Sequence, residues 1–192
     1  MRGGSHLATG VASAAVVMDS YILLHSASAG PLANQIADAV AGFLMDNTKV
    51  VTIPMLLYVP LCLMFYMLGT IIPDVDSPYS MVGKRFYLPI PHRTWTHCWL
   101  PLLVFGILGF FARPSIFLCI GIFVHMFFDS FSASGVYWLY PLKFKIRCPI
   151  YHTGSPTEYI FATLVCVASV VYSVFVVQHV YHIFDPLLYG SI

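Results

Sequence analysis

Between Val50 and Ile72 the chain runs 23 residues without a charge. As a helix, that run would extend about 34 Å, enough to cross the ~30 Å hydrocarbon core of a bilayer. Composition agrees: 59% of the 192 residues are hydrophobic and only 9% are charged. Soluble domains carry roughly a quarter charged residues, so this chain has too few to cover a water-facing surface. The expected class is an all-α integral membrane protein of one domain, residues 1–192.

Four more apolar segments bring the expected spans to five, at about 6–25, 50–72, 94–112, 114–131 and 159–180. Gly10 and Ala14, four apart in the first, suit close helix packing. Pro54 and Pro60 kink the second rather than abolish it. Thr94 or Thr96 is expected to cap the third, and Pro114 takes a first helical position in the fourth. The 26–49 segment has helical apolar spacing and reads as an amphipathic connector. His179, His182 and Asp185 fall in a short tail. No cleavable signal peptide is expected, because no basic segment beyond Arg2 precedes the first apolar run. The 5 cysteines are scattered without a CxxC pair, so neither a disulfide framework nor a thiolate zinc site is expected. A net charge of +1 gives no field to attract nucleic acid.

Counting crossings places the polar residues. If the second span arrives at the face of the 74–93 loop, the third leaves it and the fourth returns. The fifth then starts there, and so does the first. His6, Asp74, Asp76, His92, His97, His125, Asp129 and Glu158 therefore share one face. That face also holds Arg2, Lys84, Arg85, Arg93, Lys143, Lys145 and Arg147, against Lys49 and Arg113 opposite. Positive charge favours the cytoplasmic side, so the N-terminus and this face are expected in the cytoplasm.

The chemistry at that face points to a metal. His125 and Asp129, four apart on a helix, have Cβ atoms about 5–6 Å apart and can grip one ion; the alternative is an aspartate that merely orients a histidine. Ionisable groups inside a span are costly and usually functional. Asp74-Val75-Asp76 offers two ligands, or one ligand and a base; its alternative is a solvated helix stop. His92 and His97 flank a helix start. Imidazole and carboxylate without thiolate suit zinc, with manganese or iron as alternatives. Eight donors exceed one open tetrahedral site, so one to three ions are expected. Paired ions typically activate water and clamp the oxygens in displacement at phosphorus. Arg93 has the forked donors for a phosphate, while Lys84 and Arg85 equally suit membrane-surface anchoring.

Several motifs occur in a fixed order: Ser5-His6-Leu7-Ala8-Thr9-Gly10, Leu68-Gly69 with Pro73-Asp74-Val75-Asp76, His92-Arg93-x-x-Thr96-His97, and His125-x3-Asp129 before Gly135-Val136 and Leu139-Tyr140-Pro141. Phe144-Lys145-Ile146-Arg147 follows, before Gly154 and Glu158. Over about residues 5–160 the chain resembles the YdjM-like family of inner-membrane metal-dependent hydrolases. More distantly, it is similar to zinc-dependent phospholipase C and P1-type nucleases. The resemblance implies metal ligands at His6, Asp74, Asp76, His92, His97, His125, Asp129 and Glu158. Ser77 stands where the family often has a histidine, and Trp95 where it has a small residue.

The expected activity is hydrolysis of a phosphoester, with a phosphorylated lipid or another small phosphoester as substrate at the inner membrane face. Asp74 or Asp76 is the expected base and Arg93 the oxyanion stabiliser. Two rivals stand beside it. A metal-ion or proton transporter would need polar groups through the whole depth. An intramembrane metalloprotease would be expected to carry an HExxH base, which is absent.

Overall fold

The computed structural model describes residues 3–24, 30–45 and 55–189. Six α-helices account for most of them: α1 (Gly3–Leu24), α2 (Gly30–Met45), α3 (Met55–Gly69), α4 (Trp99–Phe111), α5 (Pro114–Asp129) and α6 (Pro156–Tyr189). Two short 3-10 turns, Ile72–Asp76 and Trp95–His97, lie between α3 and α4. There is no named strand among the described residues; the 130–155 loop is pinned by isolated bridges, Ser132 to Tyr151 and Val136 to Ile146.

By length and composition, α1 and the Pro156–Val180 part of α6 are long and apolar enough to cross a bilayer. The apolar helices Leu57–Gly69, Trp99–Phe111 and Pro114–Asp129 are shorter. At 13 and 16 residues, α4 and α5 measure about 20 and 24 Å. The helices turn apolar side chains outward, with Val17, Leu63, Ile107 and Val170 all exposed, as a lipid-facing surface requires. Within the bundle the pattern is inverted. His6, Thr9, Thr70, Asp74, Asp76, Arg93, His97, His125, Asp129, Ser132 and Glu158 are all buried.

Helix pairing explains how so many polar groups meet. α3 packs on α5, α4 on α5, and α1 on α6. The α3–α5 crossing lies at Gly69 and Gly121. A Cβ on Gly69 would lie 2.3 Å from the Leu118 carbonyl oxygen, and one on Gly121 would lie 2.2 Å from that of Tyr66. Only hydrogen fits there, so the backbones touch. Tyr66 also donates its hydroxyl proton to the Gly10 carbonyl at 2.9 Å, tying α1 to the same point. At the other end of the α4–α5 hairpin, the Arg113 guanidinium lies 4.4 Å over the ring of Phe43 in α2.

Three boundaries differ from expectation. The third helix starts at Trp99, not Thr94: Cys98 is extended, and no side chain caps the helix. Thr96 gives its proton to Asp76 instead, and this contact holds residues 95–97 in a turn. The expected run to Ile72 ends as a helix at Gly69, where Pro73 sits in the following 3-10 turn; residues 50–54 lie outside the described residues. The last helix continues past Val180 to Tyr189, so the expected tail is helical in backbone.

Candidate metal centre

Four chain segments converge on one buried point. α1 brings His6, the 3-10 turn after α3 brings Asp74, the turn before α4 brings His97, and the end of α5 brings His125 and Asp129. His6, Asp74, His125 and Asp129 each offer one donor atom, and these lie within 4.8 Å of one another; Asp74, His92 and His97 form a second such group. His6 Nε2 is 3.4 Å from Asp129 Oδ1 and 3.8 Å from Asp74 Oδ2. His97 Nε2 is 3.6 Å from Asp74 Oδ1 and 3.8 Å from Asp129 Oδ2. His125 Nε2 is 3.7 Å from Asp74 Oδ1 and 3.9 Å from Asp129 Oδ2. Ligands held about 2.0–2.1 Å from a tetrahedral zinc ion stand about 3.3 Å apart, so these donors need only small movements to share an ion.

The tautomers point the same way. The Thr70 carbonyl lies 2.7 Å from His125 Nδ1. A carbonyl only accepts, so Nδ1 carries the proton and Nε2 turns its lone pair to the centre. Thr96 Oγ1 gives its proton to Asp76 Oδ2 and accepts from His97 Nδ1 at 2.8 Å, leaving His97 Nε2 to face inward. These are the outer hydrogen bonds that orient metal-binding imidazoles. His97 Nε2 and His125 Nε2 are 3.1 Å apart, within hydrogen-bonding distance of each other. Neither ring nitrogen of His6 has a hydrogen-bond partner among the described residues, although its ring stacks on that of His125 at 3.7 Å. A fully buried imidazole in that condition fits a ligand better than a packing residue.

Charge is arranged around the same point. Burial favours a neutral His97, but hydrogen bonds to the Asp74 and Asp76 carboxylates outweigh it and raise the ring to about 9. Burial would raise Asp74, yet the imidazoles of His125, His97 and His6 hold it below the usual carboxylate range. Asp76 is held low against its own burial by hydrogen bonds from His92, His97 and Thr96.

The eight expected ligands thus divide. His6, Asp74, His97, His125 and Asp129 surround the centre. His92 stands at its rim, with its side chain 41% exposed and Nδ1 2.6 Å from Asp76 Oδ1. Asp76 lies behind the histidines, accepting from His92, Thr96 and the Arg93 backbone N–H. Glu158 is buried and accepts from the Gly154 N–H at 2.6 Å, apart from both donor groups. Arg93 is drawn inward. One terminal nitrogen is 2.8 Å from Asp129 Oδ2, and the other donates to Ser132 Oγ and the Gly135 carbonyl. Its backbone takes a left-handed φ of 63°, which turns the N–H onto Asp76 while the side chain reaches Asp129. Thr70, Ser132 and Thr153, which hold His125 and Arg93, were not among the expected site residues. Thr70 acts through its carbonyl, which any residue type supplies. Thr96 lay within a motif and was expected only as a helix cap.

The YdjM inner membrane protein family matches residues 1–182. The chain belongs to that family. It is also similar to YvsG, an uncharacterized protein of Bacillus subtilis (strain 168), with 29% identity over 116 residues, covering 54% of this chain and 72% of YvsG. No solved structure matches the chain. Family membership and composition together make it a membrane protein in contact with the lipid bilayer.

Proposed function

We propose that the protein is a membrane-embedded, zinc-dependent phosphoesterase whose site faces the cytoplasm. The observation that carries the reading is the buried convergence of His6, Asp74, His125 and Asp129 in a chain of an inner membrane family. On this reading α1, α3, α4, α5 and α6 are five membrane-inserted helices, with α4 and α5 entering from the site face as a short hairpin. His6, Asp74, His97, His125 and Asp129 would hold zinc; manganese or iron suits the same donors. Asp74, His92 and His97 form a second donor group, so holding a second ion is the alternative use of His92. A bound zinc ion supplies Lewis-acid polarisation of a phosphoryl oxygen and lowers the pKa of water.

The chain's own groups do the rest. Asp129 is fixed by Arg93, and His97 by Thr96 and Asp76, so the donors are aimed before substrate arrives. His92 stands at the exposed rim with Nδ1 on Asp76 Oδ1. It is the group placed to take a proton from the attacking water and return it to the leaving oxygen. The water oxygen forms the new bond to phosphorus, the phosphorus–leaving-group bond breaks, and the proton passes to the released alcohol. Because the cluster lies where the helices end, with His92 exposed beside it, a lipid headgroup is the favoured substrate.

Metal analysis of detergent-purified protein, with a phosphoester screen, tests this. Wild type should carry zinc and hydrolyse a diester; His125→Ala and Asp129→Ala should insert normally, lose the metal and lose activity. Unchanged metal content in both variants refutes the ligand assignment. Zinc crossing liposomes with no hydrolysis would instead favour a carrier.

A further inference from the structure

A groove of about 670 Å³ runs between α1 and α6 and is open along its side. Small residues hollow it out: Gly4 and Ala8 on α1, Ala162 on α6, with Val167 and Val171 further along. Two features mark its upper end. It includes Ser5, one residue along the chain from His6, and Tyr159, one residue along from Glu158. Ser5 is also 4% exposed, and its Oγ has no hydrogen-bond partner among the described residues. A buried, unsatisfied hydroxyl usually signals a missing partner.

We propose that this groove seats one acyl chain of a glycerophospholipid whose phosphate lies at the His6–Asp129 centre, a substrate assignment that rests on the phosphoesterase reading. The dimensions fit. The α6 wall from Tyr159 to Val171 is about 18 Å long, and one leaflet of hydrocarbon is about 15 Å deep. A chain lying there would be bordered by apolar side chains along its length. The Ser5 hydroxyl, at the polar end, would donate to an ester carbonyl oxygen. The open side lets the lipid enter laterally, so no acyl chain passes through water. A water-soluble phosphoester would leave the groove unused.

Ala8→Trp and Thr163→Trp each place an indole in the groove without touching a metal donor. Native mass spectrometry of the detergent-extracted full chain, titrated with dioleoylphosphatidylglycerol, reads lipid retention directly. Wild type should retain one lipid, and each variant should lose retention at least tenfold while keeping its zinc, which marks a folded centre. In parallel, the ratio of turnover on that lipid to turnover on bis(p-nitrophenyl) phosphate should fall at least tenfold. Wild-type retention in both zinc-loaded variants overturns the acyl seat, and so does a change in subunit stoichiometry with retention unaltered, which would assign the groove to a second copy. If wild type hydrolyses neither compound, the phosphoesterase reading fails, while lipid retention still decides the groove. Should a tryptophan variant fail to bind zinc, Val167→Trp, lower in the same groove, gives the same readout.

Discussion

Substituting Gly121 with alanine tests the helix crossing as the device that sets the metal centre. The new Cβ would lie 2.2 Å from the Tyr66 carbonyl oxygen and 2.9 Å from the Gly69 Cα. Both are backbone atoms, so no rotamer change relieves the clash. Ordinary contact begins near 3.4 Å, and the helices must part by about 1.2 Å to reach it. His125 lies one turn beyond Gly121, and its Nδ1 donates to the carbonyl of Thr70, next to Gly69, at 2.7 Å. The same separation takes that contact to about 3.9 Å, beyond hydrogen-bonding range. Losing such an outer partner typically costs 10–100-fold in metal affinity, and overpacking costs about 1–3 kcal/mol of stability. Zinc competition against a chromophoric chelator measures the first, and thermal unfolding followed by circular dichroism measures the second. Gly106→Ala is the control, since its Cβ would have nothing nearer than 4.0 Å; it should leave zinc affinity unchanged and raise stability by about 1 kcal/mol through alanine's helix propensity. Gly121→Ala that folds and binds zinc with wild-type affinity would refute the coupling between crossing and centre.

Three further expectations follow from the geometry. His97 is raised to about 9, so below that pH a proton occupies the ring and competes with the ion. Zinc affinity should therefore climb from pH 6.5 towards 9 and then level off, and calorimetry in buffers of different ionisation enthalpy should register proton release; a flat profile would contradict the raised His97. Arg93→Ala leaves Asp129 buried without its cation, a change that typically costs 3–5 kcal/mol of stability, so the melting temperature of the metal-free protein should fall. Loss of turnover alone would return Arg93 to a role on the substrate. Tyr79, 87% exposed in the site-face loop, tests orientation: Tyr79→Cys should react with an impermeant maleimide only after the cells are opened, and labelling of intact cells would reverse the topology.

Counting apolar segments put His6, Asp74, His97, His125 and Asp129 at one end, and these five side chains do lie together in the structure. It did not separate Asp74 from Asp76. That division depends on a 3-10 turn in which Asp74 faces the centre and Asp76 faces the Thr96 hydroxyl, and two aspartates spaced by one residue look alike in sequence. The contact of Arg93 with Asp129 was not legible for a related reason. A basic residue beside a candidate ligand suggests a hand for the substrate, but its left-handed backbone folds the guanidinium back onto Asp129. The start of α4 was hidden because an apolar run does not reveal which of its first residues are held by tertiary hydrogen bonds. Residues such as Thr70, which contribute only a carbonyl, leave no trace in side-chain chemistry.

Assembly from distant segments also sets an order of events during synthesis. His6 is made early, and Asp129 follows 123 residues later. At about 5–20 residues per second, the imidazole waits roughly 6–25 s for that carboxylate. Until Asp74, its other carboxylate neighbour, is made, the first helix holds a polar ring with no native partner, which is tolerable near the helix end, where headgroups and water are within reach. The same ring at mid-helix would meet only hydrocarbon. The position of His6, one turn into α1, thus suits the nascent chain as well as the finished cluster, which is complete only after α5 has arrived.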